Sequence, residues 1–196
     1  MKNGALFVVW FHILMFFSPL AWAALGDWTG NLNFTVGGKA LDEGDWEPVD
    51  EQLELGVDVD FRSRSWPISM VIALRGSSAR EDDVVVDGIM IESEGSTNEL
   101  RFGIRKIWEP AASMYPFFGG GLAVIATEFE RRALGVTEHD DDMGAGLWLG
   151  GGIYWILGSH INLGFELGYS QARISFFGQK GEAGGSHAAL LLGYHW

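Results

Sequence analysis

From residue 28 onward, apolar and polar residues alternate with period two, in segments of about ten. At the end of the chain Trp196, Tyr194, Leu192, Leu190 and Ala188 fall on one side, with His195, Gly193, Leu191, Ala189 and His187 on the other. Over 161–170, Ile161, Leu163, Phe165, Leu167 and Tyr169 alternate with Asn162, Gly164, Glu166, Gly168 and Ser170. Over 52–61, Leu53, Leu55, Val57, Val59 and Phe61 alternate with Gln52, Glu54, Gly56, Asp58 and Asp60. Successive side chains of a strand point to opposite faces, so each segment reads as a strand with one greasy and one polar or glycine-rich side. The same rule marks strands over 28–40, 67–76, 98–108, 115–129 and 143–156. In 98–108 the apolar side is Leu100, Phe102 and Ile104, against Glu99, Arg101, Gly103 and Arg105. In 143–156 it is Ala145, Leu147, Leu149, Ile153 and Trp155, against glycines, Trp148 and Tyr154. The five glycines of 143–157 make a poor helix, and fifteen residues are too few for a helix to span a bilayer.

Eight strands are expected, with connections that alternate in length. The turns at 62–66, 109–114 and 157–159 are short; the others are longer and more polar, the largest running over 77–97. Within that loop, Val84–Val86, Asp87-Gly88 and Ile89–Ile91 form a hairpin signal. Its arms are too short to cross a membrane, so it reads as a loop ornament. The fold class this predicts is all-β, an eight-stranded antiparallel transmembrane barrel with its apolar side chains toward lipid. Hydrocarbon offers backbone N–H and C=O groups no partner, so a sheet can enter it only by closing on itself. Five tryptophans, Trp28, Trp66, Trp108, Trp155 and Trp196, fall at or next to the short-turn ends of the strands, joined by Phe61 and Tyr115. Indole and phenol rings favour the headgroup boundary, so these residues read as an aromatic girdle.

The first 23 residues read as a separate unit. A basic start at Lys2 precedes the largely apolar run Ala5–Phe17, the break Ser18-Pro19 and the small-x-small sequence Ala21-Trp22-Ala23. Thirteen helical residues reach about 20 Å, short of the roughly 30 Å hydrocarbon layer. The reading is a cleavable export signal over 1–23 and one barrel domain over 24–196. The chain has no cysteine, so neither disulfides nor thiolate metal ligands enter the account. Its 26 acids against 13 Lys and Arg leave no basic footprint, so no nucleic-acid partner is expected.

With "YPFFGGGLAV" (115–124), "HINLGFELGYSQA" (160–172) and the terminal "LLLGYHW" (190–196), the chain resembles the small eight-stranded outer-membrane barrels of Gram-negative bacteria, of the OmpA/OmpX/OmpW type. The resemblance covers the whole segment after the leader. It implies an integral, porin-like protein of the outer membrane, with periplasmic termini and extracellular long loops. Its implied partners are membrane lipid, lipopolysaccharide and, during biogenesis, the barrel-assembly machinery. Leu190, Leu192, Tyr194 and Trp196 resemble the terminal-strand signature that this machinery reads. Trp stands where Phe is commoner.

Eight strands leave an interior just wide enough for side chains to fill it. The alternation sends Glu54, Asp58, Arg75, Arg101, Arg105 and Glu166 inward, with Asp58 and Arg105 near one level and the others higher. Unpaired charges there would be very costly, so salt-bridged tiers are expected, acting as a packing plug or as a gate on a narrow ion path. Sixteen of the 26 acids lie around the long loops, between 42–51, 81–94 and 138–142. They read as a solvated rim or as a divalent-cation bridge to lipopolysaccharide, with His139, Asp140, Asp141 and Asp142 the densest group and no EF-hand spacing. No cofactor is expected. Three function classes stay open: a structural or narrow-passage barrel, a lipid A-modifying enzyme and a surface adhesin acting through its loops. For an enzyme the candidates are Ser170, His160, His187 and Glu166. Ser170 and His187 read as inward, and "GYSQA" lacks the His two residues before Ser that lipid A deacylases show. A non-enzymatic barrel is the favoured reading.

Overall fold

In a computed structural model, residues 27–86, 89–109, 113–134, 136–176 and 179–196 are described; the leader lies outside them. The strands are β1 (Trp28–Leu41), β2 (Glu51–Ser63), β3 (Ser69–Val86), β4 (Ile89–Ile107), β5 (Met114–Ala133), β6 (Val136–Leu157), β7 (Ile161–Phe176), β8 (Gln179–Glu182) and β9 (Gly185–His195). A single turn of helix, α1 (Glu43–Trp46), follows β1. Each barrel strand pairs antiparallel with its neighbour, and β9 pairs with both β7 and β1, which closes the ring. Eight strands form the barrel; β8 pairs only with the top of β7.

The alternation sorts the side chains as the sequence pattern requires. Leu55, Ile72, Phe102, Leu122, Leu147, Leu167 and Leu190 stand exposed on the outside, while their chain neighbours are buried or are half-buried glycines on the inner face. Along β5 the outer face stays apolar or small from Pro116 to Ala126 and turns charged at Glu128. Ten residues of strand span about 34 Å, which at a barrel's tilt matches the roughly 25 Å apolar band of an outer-membrane barrel. An exposed apolar belt of this extent would aggregate in water and is stable only against lipid.

The structure departs from the expected strand ends at the long-loop side. β3 and β4 run through the expected 77–97 loop, pairing from Ser77–Thr97 to Val86–Ile89 with one bulge between Glu81 and Val84. The hairpin of 84–91 is therefore the tip of two barrel strands; Asp87 and Gly88 lie outside the described residues. β5 and β6 likewise stay paired up to Ala133 and Val136, and β7 reaches Phe176. Above the row Gly76, Asn98, Ala126 and Met143, the outer face meets water rather than lipid, so hydrophobic alternation ends while the hydrogen-bond ladder continues. The result is a four-stranded wall standing above one side of the barrel.

At the short-turn end, Trp28 packs edge-on against Trp66 with ring centroids 5.4 Å apart and lies 6.0 Å from Phe61. Trp108 and Trp155 are exposed on the same belt. The Trp196 indole lies over the Cα of Gly30, where any Cβ would collide with it. Tyr115 is the exception among the expected girdle residues. Its parity on β5 turns it inward, where it stacks on Tyr154 at 5.3 Å.

Candidate functional site

The lumen is filled by side chains, and charge dominates its middle. Glu54, Asp58, Arg75, Arg101, Arg105 and Glu166 are all buried there, none more than 3% exposed. Arg105 meets Asp58 at 2.8 Å, Asp60 at 3.1 Å and Glu166 at 3.4 Å. Arg75 meets Glu166 at 2.7 Å and Glu54 at 3.2 Å. Arg101 meets Glu99 at 2.6 Å and lies 3.9 Å from Glu166. Glu166 thus touches all three arginines, and the expected separate tiers are one connected network. In a narrow space of low polarity, charges persist only when paired and hydrogen-bonded in this way.

Several members were missing from the expected set. Asp60 and Glu99 sit on inward positions of their strands and join the network. Lys39 of β1 donates to Thr97 Oγ1 at 2.8 Å and lies 3.6 Å from Glu99. An amide ladder lines the lower lumen: Asn162 donates to Asn31 and Asn33, Asn31 to Asp60, and Asn33 to Asp58. The inward parity of 28–40 was the signal that could have found Lys39, Asn31 and Asn33.

Two inward glycines make room for the large groups. A Cβ at Gly103 would stand 2.9 Å from the Trp148 ring, and one at Gly56 would strike Arg75 and Thr35. The Arg105 guanidinium lies 4.5 Å over the Phe117 ring.

Above the network the barrel is roofed by residues 42–50, which the acidic pattern had marked as a solvated rim. Asp42 caps α1, accepting from the Gly44 N–H at 3.0 Å, while Trp46 and Val49 point down and are fully buried. Trp46 meets Phe129 at 6.3 Å between ring centroids and donates its indole N–H to the Glu182 carbonyl at 2.8 Å. Gln52 binds the Val49 carbonyl and accepts from Ser77, which ties this lid to the barrel wall. Below the network, a polar cavity of about 360 Å³ opens at the short-turn end, bordered by Asn31, Asp60, Arg62, Tyr154 and His195. Arg62 and Glu109 pair at its mouth.

Of the enzyme candidates, Ser170 and His187 come together, with Ser170 Oγ 2.9 Å from Nε2. The acid on Nδ1 is Glu54 at 2.6 Å rather than Glu166. Hydroxyl, imidazole and carboxylate therefore follow one another, but in sealed surroundings: Ser170 is 0% and His187 4% exposed. Arg101 also approaches Nε2 at 2.9 Å, and the Ser170 hydroxyl has Glu99 as a second acceptor at 3.1 Å. His160 lies at the short-turn end, stacked on Tyr194 at 5.1 Å.

The four candidate metal ligands do not converge. Strand alternation puts His139 and Asp141 on the outer face of β6 and Asp140 and Asp142 on the other, where Asp142 accepts from the Ser175 N–H at 2.6 Å. Among the described residues no three acids or histidines are grouped to hold a metal ion.

No protein-family profile matches the chain, and no curated protein matches it. Solved structures do. The attachment invasion locus protein Ail of Yersinia pestis, crystallised with the heparin analogue sucrose octasulfate, superposes with a TM-score of 0.54 at 9% identity, over 86% of this chain and 97% of that one. A major outer membrane protein of Thermus thermophilus does so with a TM-score of 0.53 at 10% identity, over 86% and 99%. The fold is that of the small outer-membrane β-barrels. At such identities the likeness reaches the architecture and not the activity.

Proposed function

We propose that the protein is a sealed, non-enzymatic barrel of the outer membrane that acts through its long-hairpin end rather than as a conduit. The observation that carries this reading is the double closure of the lumen, by the Trp46–Val49 lid and by the ion network beneath it. On this reading the leader over 1–23 is cleaved after export, the termini are periplasmic and the β3–β6 wall is extracellular. Membrane lipid and lipopolysaccharide contact the belt and the wall's base. The outward row of exposed Leu190, Leu192 and Tyr194 with half-buried Trp196 serves the assembly machinery. Ser170 and His187 act as packed polar groups, since nothing the size of a lipid reaches them.

The partner the wall fits is cationic. Its outer face carries Glu92, Glu94, Glu128, Glu130 and Asp141 against Arg80, Arg132 and His139. Ail was crystallised with a heparin analogue; surface attachment carries over to this chain as a reading, but binding of a sulfated sugar conflicts with the acidic charge of this wall. Because the chain has no native cysteine, a single Leu134→Cys at the 81% exposed hairpin tip tests the placement. A membrane-impermeant maleimide on intact cells labels Leu134→Cys and spares Trp66→Cys if the reading holds; the reverse pattern overturns it.

A further inference from the structure

We propose that the lower lumen binds one small monovalent cation, Na⁺ or K⁺, at Asp58 and Asp60. This rests on the sealed-barrel reading for its direction of access, through the cavity at the periplasmic, short-turn end.

The first argument is charge balance. The buried network holds four cations, Lys39, Arg75, Arg101 and Arg105, and five carboxylates, Glu54, Asp58, Asp60, Glu99 and Glu166. His187 does not make up the difference. Its Nε2 lies 2.9 Å from an Arg101 nitrogen, which can only donate, so Nε2 carries a lone pair and the ring proton sits on Nδ1 toward Glu54. One negative charge is left over in a space where uncompensated charge is expensive.

The second argument places that charge. Lys39 and Arg101 serve Glu99, and Arg75 is shared between Glu166 and Glu54. In the lower group Asp58 and Asp60 both take their ion pairs from one guanidinium, that of Arg105, which Glu166 also shares. Two acceptor oxygens in this lower group, Asp58 Oδ1 and Asn162 Oδ1, are fully buried and have no donor. Asn162 belongs to the same cluster, since its amide nitrogen bonds Asn31 and Asn33, which in turn bond Asp60 and Asp58. Carboxylate and amide oxygens are the donor set hard cations prefer. Arg105 Nε is also without a partner, and a water retained by the cation offers it an acceptor.

The third argument is access. The cavity of about 360 Å³ reaches Asp60, Asn31 and Tyr154 from the short-turn side, whereas the lid closes the other side. The imbalance is one charge, so a monovalent ion fits and a divalent one would overshoot.

The test is thermal unfolding of the full chain in detergent micelles at fixed pH and ionic strength, in NaCl or KCl against N-methyl-D-glucamine chloride. By mass action, a site filled at many times its dissociation constant raises the midpoint by several degrees, about 3 °C or more. Asp60→Asn, which balances the lumen, erases this difference, and Asp58→Asn does the same should the first variant not fold. Broadening of the ²³Na resonance by the wild-type barrel, reversed by excess K⁺, is the companion readout. A wild type indifferent to the cation and responsive only to pH holds a proton instead, which overturns the proposal. So does an Asp60→Asn variant that keeps the full response, since that response then comes from surface acids. A barrel that fails this test but passes no current overturns the cation site alone.

Discussion

Replacing Arg105 with leucine isolates the lower half of the lumen. Arg105 is 3% exposed, gives hydrogen bonds to Asp58 at 2.8 Å and Asp60 at 3.1 Å, and lies 3.4 Å from Glu166. Without it, Asp58 keeps only Asn33 at 3.4 Å, Asp60 keeps Asn31 at 2.9 Å, and Glu166 retains Arg75. Breaking a buried pair by removing one partner costs about 3–5 kcal/mol, because it strands the other charge. The assay is reversible urea unfolding in phospholipid vesicles, followed by tryptophan emission. Adding Asp58→Leu to Arg105→Leu must recover part of the loss, with a coupling of about 1–3 kcal/mol. Arg132 supplies the contrast: it pairs with Glu130 at 2.8 Å and Glu92 at 3.3 Å, but half-exposed on the wall. Its replacement by leucine should cost about 1 kcal/mol or less. An Arg105→Leu loss as small as that of Arg132→Leu, or strict additivity with Asp58→Leu, would refute the claim that the network is a mutually dependent plug.

Three further outcomes follow from the same geometry. Trp46→Ala removes a fully buried indole and its bond to the Glu182 carbonyl, so it should cost about 3–5 kcal/mol if the lid unfolds with the barrel. If the lid opens alone, the loss appears as protease cleavage within 42–50 and little change in the urea midpoint. Gly56→Ala pushes a methyl group to within 2.6 Å of Thr35 Oγ1 and against Arg75, and overpacking of this kind costs about 1–3 kcal/mol, read as a lower urea midpoint. Leu122→Arg on the lipid face should cost about 2–4 kcal/mol, whereas Glu128→Arg, above the apolar belt on the same strand face, should cost nearly nothing; equal costs would place the belt wrongly.

The alternation in 52–61, 98–105, 161–170 and 188–196 was enough to read the barrel, because lipid on one side and packed side chains on the other impose opposite chemistry on adjacent residues. That contrast fades once both faces are polar. Glu130, Arg132, His139 and Asp141 carry no hydrophobic period, so the strands beyond 129 and before 143 read as loops although their ladders continue. The lid was missed for a related reason: Trp46 and Val49 are two apolar residues among the five acids of 42–50, and composition cannot show that they fold inward while the acids stay wet. The inward charges were legible by parity, but their partners were not. Which arginine meets which carboxylate depends on strand stagger around the ring, which places Glu166 of β7 beside Arg75 of β3 and Arg105 of β4. Tyr115 was misplaced because an aromatic residue at a strand end fits either the girdle or the lumen mouth, and only its parity on β5 decides.

The central claim is that this lumen is closed. Single-channel recording of the purified full chain in planar lipid bilayers tests it most directly. The account predicts a silent membrane, without resolved current steps in molar KCl at either polarity. Stable, ohmic openings from the wild-type protein would show that the lid and the ion network leave a continuous aqueous path, and would contradict it.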